Sequence, residues 1–286
     1  MSRMGLEPEN ILEARGISFT YPDGTRALEK LSVAIRAGAK VAVLGANGSG
    51  KTTLFLCFNG TLRPQEGEIF FCGSPLSYDR KSLKELRKKV GIVFQDPDIQ
   101  LFSPTVKQEV AFGPLNLGLG KEEVLARVHK ALQAAGIAEL EDKATHLLSY
   151  GQKKRVSIAD ILAMEPQVMI SDEPTAWLDQ EHAAKIMRLF EEINCRGTTV
   201  IISTHDVELA YSWADEVVLL QDGRSLASGK PAEVFLQEGL LQKAGMKKPP
   251  LLEMFLYLQE KGLIAKDTPF PRRWEDLKGI LDIKIN

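Results

Sequence analysis

Residues 45–52 read Gly-Ala-Asn-Gly-Ser-Gly-Lys-Thr and match the pattern G-x-x-x-x-G-K-[ST] at every defined position. The apolar run 41–44 comes directly before this stretch, and a helical pattern follows it. A strand, a glycine-rich loop and a helix in this order are typical of a phosphate-binding loop. The backbone N–H groups of such a loop and the positive end of the helix dipole attract phosphate oxygens. The sequence therefore predicts a nucleotide site at this loop.

The last two residues of the loop carry the predicted charge and metal contacts. Lys51 supplies a positive charge for the β- and γ-phosphates, and Thr52 offers its hydroxyl to Mg²⁺. The predicted ligands are therefore ATP and Mg²⁺. The nucleotide-binding residues predicted in this segment are Gly45, Asn47, Gly48, Ser49, Gly50, Lys51, Thr52 and Thr53.

A pair of acidic residues follows a later apolar run. The stretch 167–173 reads Gln-Val-Met-Ile-Ser-Asp-Glu, so Asp172 and Glu173 stand at a predicted strand end. We expect Asp172 to hold Mg²⁺ through water and Glu173 to polarise the attacking water. Paired acids after a strand are often only a solvated strand end, but the phosphate loop upstream favours the metal and catalytic roles.

The remaining pattern predicts an α/β fold. Short runs rich in Val, Ile and Phe alternate with helical stretches, which indicates a central parallel sheet. The residues 21–24, Tyr-Pro-Asp-Gly, form a predicted turn between two early runs that follow a hairpin pattern. The predicted strands are 11–19, 31–35, 40–44, 68–71, 90–94, 167–170, 199–202 and 216–220, and the predicted helices include 51–59, 121–135 and 180–194.

The pattern also divides the chain. Residues 9–245 form a predicted P-loop core with an N-terminal antiparallel β subdomain, and a helical subdomain is inserted at about 96–165. The stretch 247–250, Lys-Lys-Pro-Pro, is interpreted as a linker. Residues 246–286 are predicted to form a small C-terminal helical domain, whose apolar face is marked by Leu251, Met254, Phe255 and Leu258.

The composition excludes several classes of protein. The chain has 286 residues and a net charge of −2, which is not the balance of a protein that coats nucleic acid. Its apolar runs are shorter than the ~18 residues that suggest a membrane span, and the first ten residues contain no signal-peptide core. Cys57, Cys72 and Cys195 are far apart, so buried or half-buried free thiols are predicted. We expect a soluble, cytoplasmic protein.

Three further segments complete an ordered set of motifs. Gln95 follows the run 90–94, Leu-Ser-Tyr-Gly-Gln at 148–152 opens a helix, and His205 follows the run 199–202. With the phosphate loop and the acidic pair, this set resembles the ATP-binding-cassette (ABC) ATPases over roughly residues 9–240.

The amino-acid sequences of two segments are similar to those of a narrower group of ABC ATPases. Residues 94–119 and 148–159 resemble the ATPases of energy-coupling factor (ECF) transporters, and within those the cobalt/nickel type, CbiO. The C-terminal segment also fits this group, because these ATPases carry a similar addition.

The resemblance implies roles for side chains near the nucleotide. Tyr21 is similar to the aromatic residue that stacks on adenine. The implied catalytic residues are Glu173, His205 and Gln95, with His205 on the γ-phosphate. Thr52, Gln95 and Asp172 are the implied Mg²⁺ ligands.

A further group of residues is implied to act on a facing subunit. In the family two subunits meet head to tail, and the signature of one caps the ATP of the other. The implied signature residues are Ser149, Gly151 and Gln152, and the implied D-loop carboxylate is Asp179.

The implied function is that of an ATP-hydrolysing motor subunit of an ECF-type importer, peripheral at the cytoplasmic face of the cell membrane. Its implied partners are a second ATPase subunit, identical or paralogous, a membrane T-component near segment 96–115, and a substrate-binding S-component, without nucleic acid. Cobalt or nickel is the favoured cargo, and vitamin uptake stays open. The alternatives are a soluble ABC ATPase that remodels a macromolecular assembly and a non-hydrolysing nucleotide-binding module.

Four residues depart from the family pattern. Tyr150 replaces the usual first glycine of the signature, and Trp177 stands in the D-loop where glycine is common. Ser171 precedes Asp172 in place of an apolar residue, and Asp160 occupies a position in the signature helix where a small residue is typical. We expect Trp177 to alter the dimer seam and Asp160 to perturb packing in the signature helix, whereas the metal-type branch commonly tolerates a residue such as Tyr150. No catalytic group is removed, and the hydrolysis rate is the property that these departures are expected to affect.

Overall fold

Two β-sheets with helices around them form residues 9–285, the part of the chain that the computed structural model describes. The first eight residues, which belong to the stretch predicted to lack a signal-peptide core, lie outside the described residues. The strands are β1 (Asn10–Thr20), β2 (Arg26–Arg36), β3 (Lys40–Leu44), β4 (Glu66–Phe71), β5 (Ser74–Pro75), β6 (Val90–Val93), β7 (Val168–Ser171), β8 (Thr199–Thr204), β9 (Glu216–Gln221) and β10 (Arg224–Gly229).

The larger sheet is the predicted parallel one. Its strand order is β10-β9-β3-β8-β7-β6, and every neighbouring pair is parallel except β10 with β9. Strands β6, β7 and β8 are buried at every position, which explains why their sequences are continuously apolar rather than alternating. Because the strands run in one direction, the residues that follow β3, β6, β7 and β8 meet at one edge of the sheet.

The smaller sheet is the predicted antiparallel subdomain, with the order β2-β1-β4-β5. Strands β1 and β2 pair from Thr20 with Arg26 onward, across the predicted turn. The N–H of Gly24 donates to the carbonyl of Tyr21 at 2.9 Å and closes this turn. The hairpin is therefore confirmed.

The prediction missed strands β5 and β10. Strand β5 has two residues, and β10 reads Arg-Ser-Leu-Ala-Ser-Gly, without a run of β-branched or aromatic residues. Both lie at sheet edges, where pairing with one neighbour is enough to hold a polar segment.

The helices confirm the predicted periodicity where it was strong. Val124, Val128 and Leu132 are all buried on one face of their helix. The helices are α1 (Lys51–Phe58), α2 (Arg80–Lys89), α3 (Val106–Asn116), α4 (Lys121–Ala134), α5 (Tyr150–Leu162), α6 (Gln180–Cys195), α7 (Val207–Trp213), α8 (Pro231–Phe235), α9 (Glu238–Lys243), α10 (Pro250–Glu260) and α11 (Trp274–Ile285).

Helices α3, α4 and α5 pack together in the predicted insertion between β6 and β7. Gln100 connects this subdomain to the end of β6, because its side chain accepts from the N–H of Phe94 and donates to the carbonyl of Ser157. It also donates to the carboxyl of Asp160 at 3.2 Å. Burial raises the pKa of Asp160 from 3.8 to about 7, with a smaller contribution from Glu109. The departure at Asp160 thus places a poorly solvated carboxyl group in the signature helix.

Replacing Asp160 with asparagine is expected to stabilise the fold in a pH-dependent way. Between pH 4 and 7 the folded chain keeps a proton on Asp160 that the unfolded chain has lost, so the wild-type free energy of unfolding falls as pH rises through this window. Asp160→Asn removes the titrating group and with it this fall in the free energy of unfolding. The gain in melting temperature should be near zero at pH 4 and reach about 2–6 °C at pH 8.

The exposed Asp142 of the same subdomain supplies the matched control. Asp142→Asn should leave the pH dependence of the melting temperature as in the wild type. A melting-temperature difference for Asp160→Asn that stays constant from pH 4 to 8 would contradict the buried-carboxyl interpretation.

The C-terminal segment packs on the P-loop core. Leu251, Leu252 and Phe255 of α10 are buried in the same apolar cluster as Tyr211 of α7, whereas Met254 of the predicted face is exposed. The guanidinium of Arg272 donates to the carbonyl of Tyr211 at 2.6 Å. The predicted linker ends directly at α10, since Pro250 is the first residue of that helix. The division at residue 245 stays a prediction, because the core is continuous across it.

The remaining predictions concern the cysteines and the membrane. Cys57, Cys72 and Cys195 are free thiols, and Cys57 is buried and Cys72 half-buried as predicted, but Cys195 is exposed near the end of α6. Across residues 9–285, the helices lack the combination of length and apolar character that crossing a bilayer requires.

Candidate nucleotide site

The phosphate loop connects the central strand β3 to helix α1. Gly50 has φ +100°, and a Cβ at this residue would lie 2.6 Å from the carbonyl oxygen of Ala27. A Cβ at Gly45 would lie 2.6 Å from the carbonyl oxygen of Leu220. Larger residues at these two positions would push the loop off the end of the sheet, so the glycines are required by close backbone approach. The predicted strand, loop and helix arrangement is confirmed.

Lys51 is folded back onto its own loop. Its side chain is 7% exposed, and Nζ donates to the carbonyls of Gly45 at 2.7 Å and Ala46 at 3.1 Å. Burial lowers the pKa of Lys51, while the nearby Glu173 and Asp172 raise it. Neutral carbonyls are weaker partners for an ammonium group than phosphate oxygens are. The loop therefore holds a poorly compensated cation at the position where phosphates are expected.

A buried hydroxyl of the loop supports the same interpretation. The Oγ atom of Ser49 is buried and has no hydrogen-bond partner within residues 9–285. Buried polar atoms are normally satisfied, and an unsatisfied one needs an explanation such as an ion or a ligand. Together with Lys51, this atom shows that the loop fits an anionic ligand.

The predicted metal ligands come together beside the loop. Thr52 Oγ1 donates to Asp172 Oδ2 at 2.5 Å, which joins the start of α1 to the end of β7. The backbone N–H of Asp172 donates to the carbonyl of Val93 at 2.9 Å, which brings the end of β6 and the following Gln95 to the same edge. Hydroxyl, carboxylate and amide oxygens are the ligands that Mg²⁺ prefers. The donor set therefore fits this metal.

The sequence analysis missed Ser203, which lies in β8. Its hydroxyl makes a short hydrogen bond to Oδ1 of Asp172 and accepts from the N–H of Glu173 at 2.8 Å. It thereby orients the carboxylate of Asp172. A serine that follows three apolar residues in a buried strand, two residues before His205, was the available signal.

The predicted catalytic pair is in direct contact. Nδ1 of His205 lies 3.1 Å from Oε2 of Glu173, at the ends of the adjacent strands β8 and β7. Glu173 is 7% exposed, whereas the imidazole of His205 is 73% exposed. Glu173 has φ +43°, a conformation that costs about 1–3 kcal/mol and is concentrated at functional sites. This arrangement places a buried carboxylate next to an exposed imidazole, which suits proton transfer from water.

Tyr21 and Thr53 are joined on the other side of α1. The hydroxyls of the two side chains share a hydrogen bond of 3.1 Å. The ring of Tyr21 meets Phe19 edge to face, with the ring centroids 5.0 Å apart. Tyr21 is thus fixed next to the phosphate loop, and the hydroxyl of Thr53 is already engaged.

The signature and D-loop residues lie at two helix N-termini. The exposed Ser149 caps α5 and forms a capping box with Gln152, and the exposed Asp179 caps α6. A Cβ at Gly151 would lie 3.3 Å from the ring of His182. The ring of His182 lies 2.7 Å from Asp179, and hydrogen bonds from the backbone and side chain of His182 lower the pKa of Asp179. The two segments thus form one outward-facing surface.

The comparisons with known proteins agree with this geometry. The model of the ABC transporter family matches residues 28–176. A relative named energy-coupling factor transporter ATP-binding protein EcfA, from Methanocaldococcus jannaschii, is 52% identical over 91% of this chain and 93% of its own length. A putative ABC transporter ATP-binding protein from Methanosarcina mazei is 54% identical over 95% of this chain. The chain spans 60% of the length of this second relative.

A solved structure gives the same result for the fold. CbiO1 from Clostridium perfringens, described as part of the ABC transporter complex CbiONQ, is 44% identical and superposes with a TM-score of 0.74. The match covers 88% of this chain and 99% of that one.

The fold and the site define a P-loop ATPase that uses ATP with Mg²⁺. The chain belongs to the ABC transporter family and, within it, to the ATP-binding proteins of energy-coupling factor transporters. The predicted fold class and family resemblance are therefore confirmed.

Proposed function

We propose that this chain is the ATP-hydrolysing motor subunit of an ECF-type importer that takes up cobalt or nickel. The observation that supports hydrolysis most directly is the convergence of Thr52, Asp172, Glu173 and His205 beside the phosphate loop. The ends of β7 and β8 and the start of α1 contribute these residues, and the contacts of the site suit a phosphate, a divalent metal and an attacking water.

The residues of the loop bind the nucleotide. Lys51 exchanges the carbonyls of its own loop for the β- and γ-phosphates, and Ser49 gains a partner for its buried hydroxyl. Tyr21 stacks on the adenine. The backbone of the loop at Asn47 and Gly48, with the glycines on either side, surrounds the phosphate oxygens, and Thr53 holds Tyr21 in place.

The metal and the catalytic pair act at the γ-phosphate. Thr52, Asp172 and Gln95 would hold Mg²⁺, which neutralises phosphate charge when bound. Glu173 accepts the proton of the attacking water. His205 leaves its contact with Glu173 to hydrogen-bond the γ-phosphate, which its exposed position allows.

A second ATPase subunit, identical or paralogous, completes the site. Ser149 and Asp179 are exposed at the N-termini of α5 and α6, and the half-buried Gly151 and Gln152 follow Ser149 in the first turn of α5. A serine hydroxyl and the N-terminus of a 13-residue helix attract an anion, so they suit the γ-phosphate bound by the facing subunit. Closure of the pair on ATP and its reopening after hydrolysis deliver the mechanical work.

An exposed apolar patch supports a membrane partner. Phe102 and Phe112 are 65% and 45% exposed and meet edge to face, and Ile99 and Leu115 beside them in sequence are also exposed. We propose that this patch receives the membrane T-component, which works with a substrate-binding S-component. The chain would then be peripheral at the cytoplasmic face of the membrane.

The proposed cargo rests on similarity to other ATPases and not on contacts in the structure, because the site described above binds ATP and not the cargo. The resemblance of segments 94–119 and 148–159 to the cobalt/nickel-type ATPases favours cobalt or nickel, and vitamin uptake stays open. A soluble ABC ATPase without a membrane partner remains the alternative function.

Capture from native membranes tests the proposal. The tagged chain, solubilised in mild detergent, should retain a T-component and a small membrane protein that holds Co²⁺ or Ni²⁺, as measured by mass spectrometry and metal analysis. Phe102→Ser should lower recovery of the membrane proteins by at least about tenfold, because it places a polar group at the centre of the apolar patch. ATP hydrolysis by the isolated chain should be unchanged.

The matched control is Leu125→Ser on α4, which changes another exposed apolar side chain of the same subdomain and should leave recovery unchanged. A vitamin in place of the metal would replace the cargo and keep the motor function. Recovery of soluble proteins alone, from a detergent shown to preserve such complexes, would refute the transporter.

A further inference from the structure

Two departures from the family pattern, Tyr150 and Trp177, are in contact in the folded chain. Their ring centroids lie 5.6 Å apart with the ring planes at 72°, an edge-to-face arrangement. Tyr150 directly follows Ser149 at the start of α5, and Trp177 lies two residues before Asp179. The contact therefore joins the signature to the D-loop.

The hydroxyl of Tyr150 makes a second connection, to the segment that follows β6. It donates to the backbone carbonyl of Gln95 at 3.0 Å. Lys154, one helical turn along α5, donates to the same carbonyl at 2.9 Å and to that of Phe94 at 2.7 Å. The side chain of Lys154 is fully buried. Helix α5 thus holds the backbone of Gln95 through two side chains, Tyr150 and Lys154. Of these two, Tyr150 is the one whose ring also contacts the D-loop, at Trp177.

The conformation of Trp177 argues against a simple packing role. Its backbone has φ +61°, in the left-handed region that favours glycine, and its side chain is 69% exposed. A large exposed side chain on an unfavourable backbone conformation adds little to folding stability. Its contact with Tyr150 is better explained by a role in fixing the position of the D-loop relative to the signature.

We propose that Tyr150 is a positioning residue that links the backbone of Gln95, through the ring of Trp177, to the D-loop. The link sets the direction in which Ser149 and Asp179 face the second subunit, and so rests on the proposed head-to-tail dimer. When Gln95 moves upon nucleotide binding, the contact between Tyr150 and Trp177 transmits this movement to the signature and to the D-loop. Neither ring belongs to the predicted nucleotide-binding residues, so the link acts on dimer closure rather than on binding of ATP to one subunit.

The test uses the full chain carrying Glu173→Gln, in which ATP-bound dimers are expected to accumulate. Tyr150→Phe removes the hydroxyl and keeps the ring, and Trp177→Gly removes the ring contact. Each should weaken ATP-dependent dimerisation, measured by analytical ultracentrifugation, by about tenfold. The double variant should be no weaker than Trp177→Gly alone, because both changes interrupt one link. Affinity for ATP below the dimerisation concentration should stay within about twofold.

Two further variants separate positioning from packing. Trp177→Phe keeps an edge-to-face partner and should restore most of the dimerisation. Tyr257→Phe changes an exposed tyrosine of α10 and should have no effect. Without Glu173→Gln, the Tyr150→Phe chain should show a kcat about tenfold lower and an unchanged KM.

Three results would overturn the inference. They are Tyr150→Phe behaving like Tyr257→Phe, additive losses in the double variant, or parallel losses of melting temperature and ATP affinity with unchanged dimerisation. A Glu173→Gln chain that stays monomeric with ATP would refute the dimer itself. In that case the kcat of the Tyr150→Phe chain tests the proposed link, and an unchanged kcat would refute the link.

Discussion

Replacing Glu173 with glutamine is expected to lower the turnover number for ATP by about 10²- to 10⁴-fold while Mg·ATP binding persists. The carboxylate lies 3.1 Å from Nδ1 of His205, and the N–H of Glu173 donates to Ser203. Glutamine keeps the size of the side chain and these backbone contacts, but its amide cannot accept a proton from water. Phosphate release measures turnover, and equilibrium binding of a labelled ATP measures affinity.

The same variant should accumulate as a dimer with ATP, because closure is no longer followed by hydrolysis. Glu208→Gln is the matched control, since Glu208 is exposed in the first turn of α7, close to His205 in sequence. It should retain wild-type turnover. Turnover within tenfold of the wild type in Glu173→Gln would assign the base to another group, and a monomer at saturating ATP would exclude the head-to-tail arrangement.

The sequence alone predicted the structure at positions where function and fold require the same residues. Gly45 and Gly50 are needed because the backbone packs closely, and they are also the motif that predicts a phosphate site. The buried strands β7 and β8 are continuously apolar and end in the polar residues of the site. A single pattern therefore predicted the sheet, its polar edge and the placement of Asp172 and His205.

The sequence was insufficient where a role depends on a contact between distant residues. Tyr150 and Trp177 each looked like an isolated departure, and only the fold shows that they meet. Ser203 had no motif of its own, although it orients Asp172. The polar edge strand β10 is held by pairing with β9 rather than by its own apolar pattern, so periodicity could not detect it.

Replacing Lys51 with alanine is expected to weaken ATP binding by about 100-fold, which corresponds to about 2.7 kcal/mol. The ammonium group is the one loop side chain that supplies a full positive charge to the phosphates, and hydrogen bonds between charged groups are the strongest available there. Lys51 now donates to two carbonyls of its loop. Alanine removes these contacts without replacing them, and titration calorimetry with a non-hydrolysable ATP analogue measures the loss.

Folding stability distinguishes this effect from damage to the loop. Because burial lowers the pKa of Lys51, the charged side chain is poorly solvated in the folded chain, and its removal should leave the melting temperature without nucleotide unchanged or higher. ATP should then no longer raise the melting temperature, since a ligand stabilises only the state that binds it. Lys88→Ala changes a half-buried lysine of α2 that pairs with Glu85 outside the nucleotide site, and should keep wild-type affinity. Unchanged affinity in Lys51→Ala would refute the assignment of the phosphate loop, whereas a lower melting temperature without nucleotide would show that the loop had been disrupted.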